Sequence, residues 1–167
     1  MRRVWTRDDA VTLRRDDKRF SLTGYVAISS TALNETVTVM KASTTNRHDF
    51  HSFLKSVILA TKSSMSVKPF LVLDGHSAHF TPENRVLLNQ YFVPLRMPAH
   101  SCQFNSVETL FAVAKTNLRR LIALEDDQMT QDRFESLVKL SIGMVDNAAM
   151  QGIIRSNRRD LSSYLTN

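Results

Sequence analysis

Apolar positions along the chain fall into short runs and spaced stripes, and their order predicts its elements. Tyr25-Val26-Ala27-Ile28 is a short apolar run, and Glu35 to Met40 alternates Thr36, Val37, Thr38 and Val39 with the period of two that marks a strand. Ser29 to Asn34 reads as the turn between them, which makes the pair a hairpin. Asn46 then opens a helix, with Asp49 three residues on as its capping partner. Phe50, Phe53, Leu54, Val57 and Ile58 recur at i, i+3, i+4, i+7 and i+8, a stripe that must face a sheet. After a polar link over 62–68, the four apolar residues Phe70 to Leu73 stand between Pro69 and Gly75. Four is too few for a helix, so this run predicts a fully buried strand that surfaces at Asp74.

Beyond His79, Thr81 caps a short helix that has Pro82 in its first position and runs to about Asn89. Tyr91-Phe92-Val93 reads as a brief strand closed by Pro94 and Pro98. From Asn105 onward the pattern is helical. Val107, Leu110, Phe111, Ala114, Leu118 and Leu121 mark one face of a long helix, which ends in the charged loop Glu125-Asp126-Asp127. Thr130 caps a second helix carrying Phe134, Leu137, Val138 and Val145, and a last polar, basic segment runs through Ile153, Ile154 and Leu161. Residues 1–19 are dense in charge with little periodicity and are expected to form an exposed lead-in. The order strand, strand, helix, strand, helix, strand predicts an α/β sandwich in which an antiparallel hairpin feeds a partly parallel sheet.

Composition narrows the setting. The 167 residues suit one domain, and an apolar content of 43% is enough for a packed core. No apolar run approaches the roughly 18 residues that span a bilayer. The opening Met1-Arg2-Arg3-Val4-Trp5 lacks an apolar signal core, so the expected location is inside the cell, away from membranes. A lone Cys102 cannot form an internal disulfide; it fits a reducing compartment and excludes a cysteine-only metal cage. Twenty-two Lys and Arg against sixteen Asp and Glu leave a net charge of +6, which favours an anionic partner such as nucleic acid.

Candidate chemistry starts at Asp74. In open α/β sheets, ligands collect at the carboxyl ends of strands, and the permissive Gly75 follows the acid directly. An Asp at a strand end is equally a turn former. Glu108 lies in the first turn of the long helix beside Asn105 and Ser106, where on its own it complements the helix dipole. Between Asp74 and Glu108 lie 33 residues that make one helix, one strand and a Pro-bounded loop, a connection that returns the chain to the same end of the sheet. Two carboxylates brought together there repel unless a divalent cation bridges them, and Mg²⁺ prefers hard oxygen ligands. Asp74, His76 and His79 also make a D-x-H-x-x-H pattern of the kind that binds zinc, without an evident third nitrogen or sulfur ligand.

The block Leu71-Val72-Leu73-Asp74-Gly75-His76-Ser77-Ala78-His79, then Leu95-Arg96-Met97-Pro98-Ala99-His100-Ser101, Asn105-Ser106-Val107-Glu108 and finally Lys115 resembles the DDE superfamily endonuclease domain of mariner-like transposases. Those enzymes carry an Asp-Asn-x-x-x-His block, a Leu-Pro-x-Tyr-Ser-Pro-x-Leu-Asn-Pro-Ile-Glu block and a Lys seven residues after the Glu. The resemblance covers roughly residues 5–165 and implies a ribonuclease-H-like, integrase-type mixed sheet flanked by helices, with residues 1–167 as one partial catalytic domain. It implies that Asp74 and Glu108 are catalytic acids holding Mg²⁺ or Mn²⁺ in a two-metal site. It places His79, Arg96, Asn105, Lys115 and Arg119 against nucleic acid, with His79 either positioning a phosphate or bracing Asp74, and Arg120 as a further phosphate contact. The implied partners are transposon ends and target DNA, with a homodimer as the assembly and the nucleus, or the cytoplasm of a bacterium, as the location.

Departures accompany the match. Gly75 stands for the family's Asn, His100 for Tyr, Cys102 for Pro, Phe104 for Leu and Ser106 for the second Pro. The family's first catalytic Asp ends a strand that would precede Met1, so the first strand is expected to be missing, as is the upstream helix-turn-helix region. Asp8, Asp9, Asp16 and Asp17 are the only acids ahead of the hairpin. The expected function is metal-dependent cleavage and transfer of DNA strands. The alternative is a catalytically inactive, transposase-derived module that binds DNA or protein.

Overall fold

The computed structural model describes residues 4–15, 18–29, 37–41, 46–62, 67–98, 101, 104–125 and 129–166. Among them are five strands, five helices and one tight helical turn. In chain order these are β1 (Val4–Arg15), β2 (Lys18–Ala27), β3 (Val37–Lys41), α1 (Arg47–Lys62), β4 (Phe70–Leu73), the turn Ser77–Phe80, α2 (Pro82–Tyr91), β5 (Val93–Arg96), α3 (Ser106–Ile122), α4 (Gln131–Gly143) and α5 (Asn147–Thr166). They sort into two compact units, one of Met1–Asp9 with Thr23–Cys102 and the other of Ala10–Leu22 with Gln103–Asn167.

The predicted hairpin is present: β2 and β3 run antiparallel, with Gly24 opposite Met40 and Ala27 opposite Val37. Within the charged lead-in expected over 1–19 there is a strand. Residues 4–15 form β1, which extends the sheet in the order β1-β2-β3. Arg7, Asp8, Asp9, Arg14 and Arg15 hide the strand from a periodicity search, because pairing with β2 supplies the order that an apolar face would otherwise signal. Asp8 and Asp9 lie within β1, whereas Asp16 and Asp17 fall outside the described residues, as do His100 and Cys102.

Helix α1 starts where capping chemistry puts it. The Asn46 side chain accepts from the amides of His48 and Asp49 at 2.8 and 3.1 Å, and Asp49 returns a bond to the Asn46 amide at 2.8 Å. Lys41 at the end of β3 then reaches Asp49 at 3.1 Å. The apolar stripe of α1 packs Phe50, Phe53, Leu54, Val57 and Ile58 into one core with Tyr25 and Ala27 of β2, Leu71 and Leu73 of β4, Leu88 and Phe92.

Strands β4 and β5 form a separate parallel pair, so the mixed sheet expected from the pattern is divided between two ladders. Leu71, Val72 and Leu73 of β4 are buried as predicted, with Leu71 and Leu73 in the core cluster, while Phe70 and its cross-strand partner Val93 are exposed. Strand β5 also begins two residues later than predicted and includes Pro94. The amides of Val93 and Met97 donate to the carbonyls of Pro69 and Leu73. Pro94 therefore sits at a position whose nitrogen faces away from β4, and its missing N–H costs the ladder nothing.

In the second unit, α3 packs against α4 and α5. The predicted face of α3 is buried through Val107, Leu110, Phe111, Ala114 and Leu118. Phe134 of α4 is buried against the ring of Phe20, with centroids 5.8 Å apart.

Candidate functional site

Strand β4 carries Asp74 out of the core, and the chain then folds back on that carboxylate. The amide of His76 donates to Asp74 Oδ1 at 2.9 Å, an Asx turn that reverses the chain around Gly75. His76 in turn caps the helical turn Ser77–Phe80, its Nδ1 accepting from the Ala78 amide at 3.3 Å. The turn delivers His79 inward. Only 3% exposed, His79 packs its ring on Phe50 at 4.3 Å between centroids and donates from Nδ1 to Asp74 Oδ1 at 2.9 Å. Of the two roles expected for His79, the brace on Asp74 corresponds to this bond.

The Asp74 carboxylate is thus held by one oxygen. Oδ1 accepts from both His76 and His79, while Oδ2 accepts no hydrogen bond among the described residues, and the side chain is 27% exposed. Burial by itself raises the carboxyl's pKa. The hydrogen bond and charge of His79, with the His76 amide, outweigh that and hold it below its usual 3.8. A depressed carboxylate stabilises the fold fully above its unfolded pKa and loses that contribution as pH falls through the folded one. Wild type is therefore expected to lose stability more steeply than Asp74→Asn on acidification below 3.8. Urea midpoints collected at several acidic pH values check this, and parallel acid limbs in the two proteins would refute it.

Arg96, at the end of β5, lies over the same loop. Its Nη2 donates to the Gly75 carbonyl at 3.1 Å, and its guanidinium lies 5.3 Å from the centre of the Phe80 ring. A Cβ on residue 75 would stand 3.4 Å from that Nη2, in van der Waals contact with the guanidinium.

Glu108, Asn105, Lys115 and Arg119 belong to the second unit. Asn105 is the N-cap of α3: its side chain accepts from the Val107 amide at 3.0 Å, and its carbonyl accepts from the Glu108 amide at 3.0 Å. Asn105 is buried, which makes it the support of the helix start. Ser106, where the family has proline, is buried and accepts from Asn157 Nδ2 of α5 at 3.0 Å. Asn157→Ala leaves that hydroxyl without its donor and is expected to cost about 1–3 kcal/mol of stability, read as a lowered urea midpoint. Lys115 and Arg119 follow Glu108 one turn apart, and Arg119 and Arg120 are exposed in the last turn of α3.

Asp74, His76, His79 and Arg96 are therefore brought together in one unit, while Asn105, Glu108, Lys115 and Arg119 share a helix in the other. Among the described residues, no group of three or more His, Cys, Asp and Glu side chains is arranged to hold a metal ion. The zinc pattern does not assemble, since His79 turns its Nδ1 onto Asp74 itself. What Asp74 offers is a single open carboxylate oxygen, a donor that suits Mg²⁺ or Mn²⁺. Sequence reasoning missed the helical turn Ser77–Phe80, as well as His51, Asn84 and Asn157. These polar residues carry no periodic signal, and only their tertiary partners reveal them.

Solved structures similar to this chain include catalytic domains of an integrase and a transposase. The HTLV-2 integrase catalytic core domain in complex with magnesium aligns with a TM-score of 0.53 at 12% identity, over 86% of this chain and 85% of that one. The catalytic domain of the Mos1 mariner transposase aligns at 0.51 and 16% identity, over 93% and 82%. A chain of the simian T-cell lymphotropic virus intasome in complex with PP2A regulatory subunit B56 gamma aligns at 0.57 and 12% identity, and 86% of the present chain spans about half of it, 48%. The mixed α/β fold is that of the ribonuclease-H-like catalytic domains. No curated protein matches the chain in sequence. The family pattern of the DDE superfamily endonucleases matches residues 2–130, and the chain belongs to that family. None of its helices, among the described residues, is long and apolar enough to cross a membrane.

Proposed function

We propose that this chain acts as a transposase-type endonuclease domain that cuts and joins DNA strands with Mg²⁺ or Mn²⁺. The observation that carries the reading is the Asp74 turn: a strand-end carboxylate kept ionised by a buried histidine, with one oxygen left open. Membership of the DDE endonucleases supports it. Two of the similar structures are described as holding magnesium or manganese in their catalytic domains.

In this reading the open oxygen of Asp74 would bind the metal, and Glu108 is proposed as a further catalytic acid. When bound, the metal acts as a Lewis acid on the scissile phosphate and on the attacking water or 3′-hydroxyl. His79 keeps Asp74 charged and aimed. Arg96, Lys115 and Arg119 bind backbone phosphates, which fixes the register of the DNA without reading its sequence. Transposon ends and target DNA are the proposed substrates. A homodimer is the proposed assembly, in line with the dimeric form described for the HTLV-2 integrase core.

The test is nicking of an end-labelled duplex in Mn²⁺, in Mg²⁺ and in EDTA, alongside DNA affinity measured over a range of salt. Cleavage that needs the metal supports the reading. Salt-sensitive binding with no metal-dependent cut sinks it, and leaves a module that binds DNA without chemistry.

A further inference from the structure

A buried carboxamide outside the acid pair ties the Asp74 turn to the helices around it. We infer that Asn84 is a positioning residue: through the backbone of Ala78 it fixes His79, and through His79 the Asp74 carboxylate.

Asn84 lies in the first turn of α2 and is 1% exposed. Its Nδ2 donates to the Ala78 carbonyl at 2.8 Å, and its Oδ1 lies 2.8 Å from Nδ1 of His51 on α1. With Nδ2 committed to a carbonyl, Oδ1 is the acceptor of the second bond, so His51 carries a proton on Nδ1. One side chain therefore links α1, α2 and the turn Ser77–Phe80.

Burying a carboxamide is costly unless both of its ends are bonded, whereas an apolar side chain would fill the position at no such cost. Capping does not explain it either. Thr81 is the N-cap of α2, with its hydroxyl accepting from the Asn84 amide at 3.4 Å, so the Asn84 side chain is not needed for that task. What the carboxamide does is hold the carbonyl of Ala78, the residue next to His79.

Within the turn, His76 forms the cap and the His79 amide donates to the His76 carbonyl at 3.1 Å. The Phe50 ring lies tilted by 35° against the His79 ring, and Asn84 anchors the backbone beside it. Partners one layer behind a metal-binding group, the place His79 takes behind Asp74, set its orientation, and losing one typically weakens metal binding by about 10–100-fold; Asn84 acts one layer further out.

The metal half of this inference rests on Asp74 being a metal ligand; the geometric half does not, and the experiment separates the two. Asn84→Asp keeps the shape and the acceptor for His51 but loses the donor to Ala78. Asn84→Leu loses both bonds, and His51→Gln keeps a donor toward Asn84. Two properties are read: exchange of the His79 amide with the His79 ring signals, by NMR without metal, and Mn²⁺ affinity by calorimetry.

Asn84→Asp and Asn84→Leu are expected to speed His79 amide exchange measurably and to weaken Mn²⁺ binding by less than the roughly tenfold that loss of His79 itself would cost. His51→Gln stays near wild type. A merely structural residue would lower the melting point and leave the His79 signals and the Mn²⁺ affinity of the folded protein unchanged, and that result overturns the proposal. If Asn84→Leu does not fold, Asn84→Asp decides alone. Wild type that binds no Mn²⁺ removes the metal reading of Asp74, and the exchange data then judge Asn84 independently.

Discussion

Asp74→Asn is expected to lower metal-dependent nicking by about a thousandfold or more while leaving DNA affinity close to wild type. The amide oxygen still accepts from the His76 amide, so the turn at residues 74–76 keeps its shape. What disappears is the negative charge proposed to bind the cation. A bound divalent ion supplies several kcal/mol of transition-state stabilisation, and about 4 kcal/mol corresponds to a thousandfold in rate. The phosphate contacts proposed for Arg96, Lys115 and Arg119 do not involve this carboxylate, so the slope of DNA affinity against salt should not change. Single-turnover nicking in Mn²⁺ reads the first quantity, and fluorescence anisotropy across salt reads the second. Wild-type nicking by the variant would remove Asp74 from the chemistry, whereas a fall in cleavage matched by an equal fall in DNA affinity would mark it as part of a binding surface.

The largest effect on stability is expected from Phe50→Ala, at about 3–5 kcal/mol. Phe50 is fully buried on α1 and touches three rings: Tyr25 at 5.8 Å, Phe53 at 6.2 Å and His79 at 4.3 Å between centroids. Truncation removes the transfer energy of a ring and leaves a cavity that a helix tied at its start by Asn46 and Asp49 cannot readily close. A loss of this size is a large share of the roughly 5–15 kcal/mol that stabilise a typical domain. Urea unfolding should show a lower midpoint with the same slope, and Phe50→Leu should lose less. A Phe50→Ala midpoint within error of wild type would mean that the core around α1 is not packed as described. The same change removes one wall of the His79 pocket, so the acid limb attributed to Asp74 should flatten with it.

Where the sequence could be read, the interactions are local. Asn46 and Asp49 cap α1 within three residues of each other, Thr81 and Pro82 open α2, and Asn105 opens α3. Each of these bonds forms within one turn of chain, so the residues that make it lie side by side in the sequence. The stripe on α1 and the run Phe70 to Leu73 are likewise patterns of hydration that precede any tertiary contact. The positions of Asp74 and Glu108 were legible in the same way, one at a strand end and the other in a helix's first turn.

What could not be read depends on distant partners. Strand β1 is rich in charge and becomes a strand because β2 lies alongside it. Strand β5 starts at Val93 because the carbonyls of Pro69 and Leu73 set the ladder, and that ladder accommodates Pro94. The bond from His51 to Asn84 spans 33 residues and that from Asn157 to Ser106 spans 51, and none of the four residues differs in the sequence from an ordinary surface polar group. The sequence alone determined which acids and which caps the chain carries, since these follow from residue type and short spacing. The tertiary structure alone decided which oxygen of Asp74 stays open, and which buried amide aims the histidine beside it. Both depend on hydrogen-bond geometry that exists only once separate elements have packed.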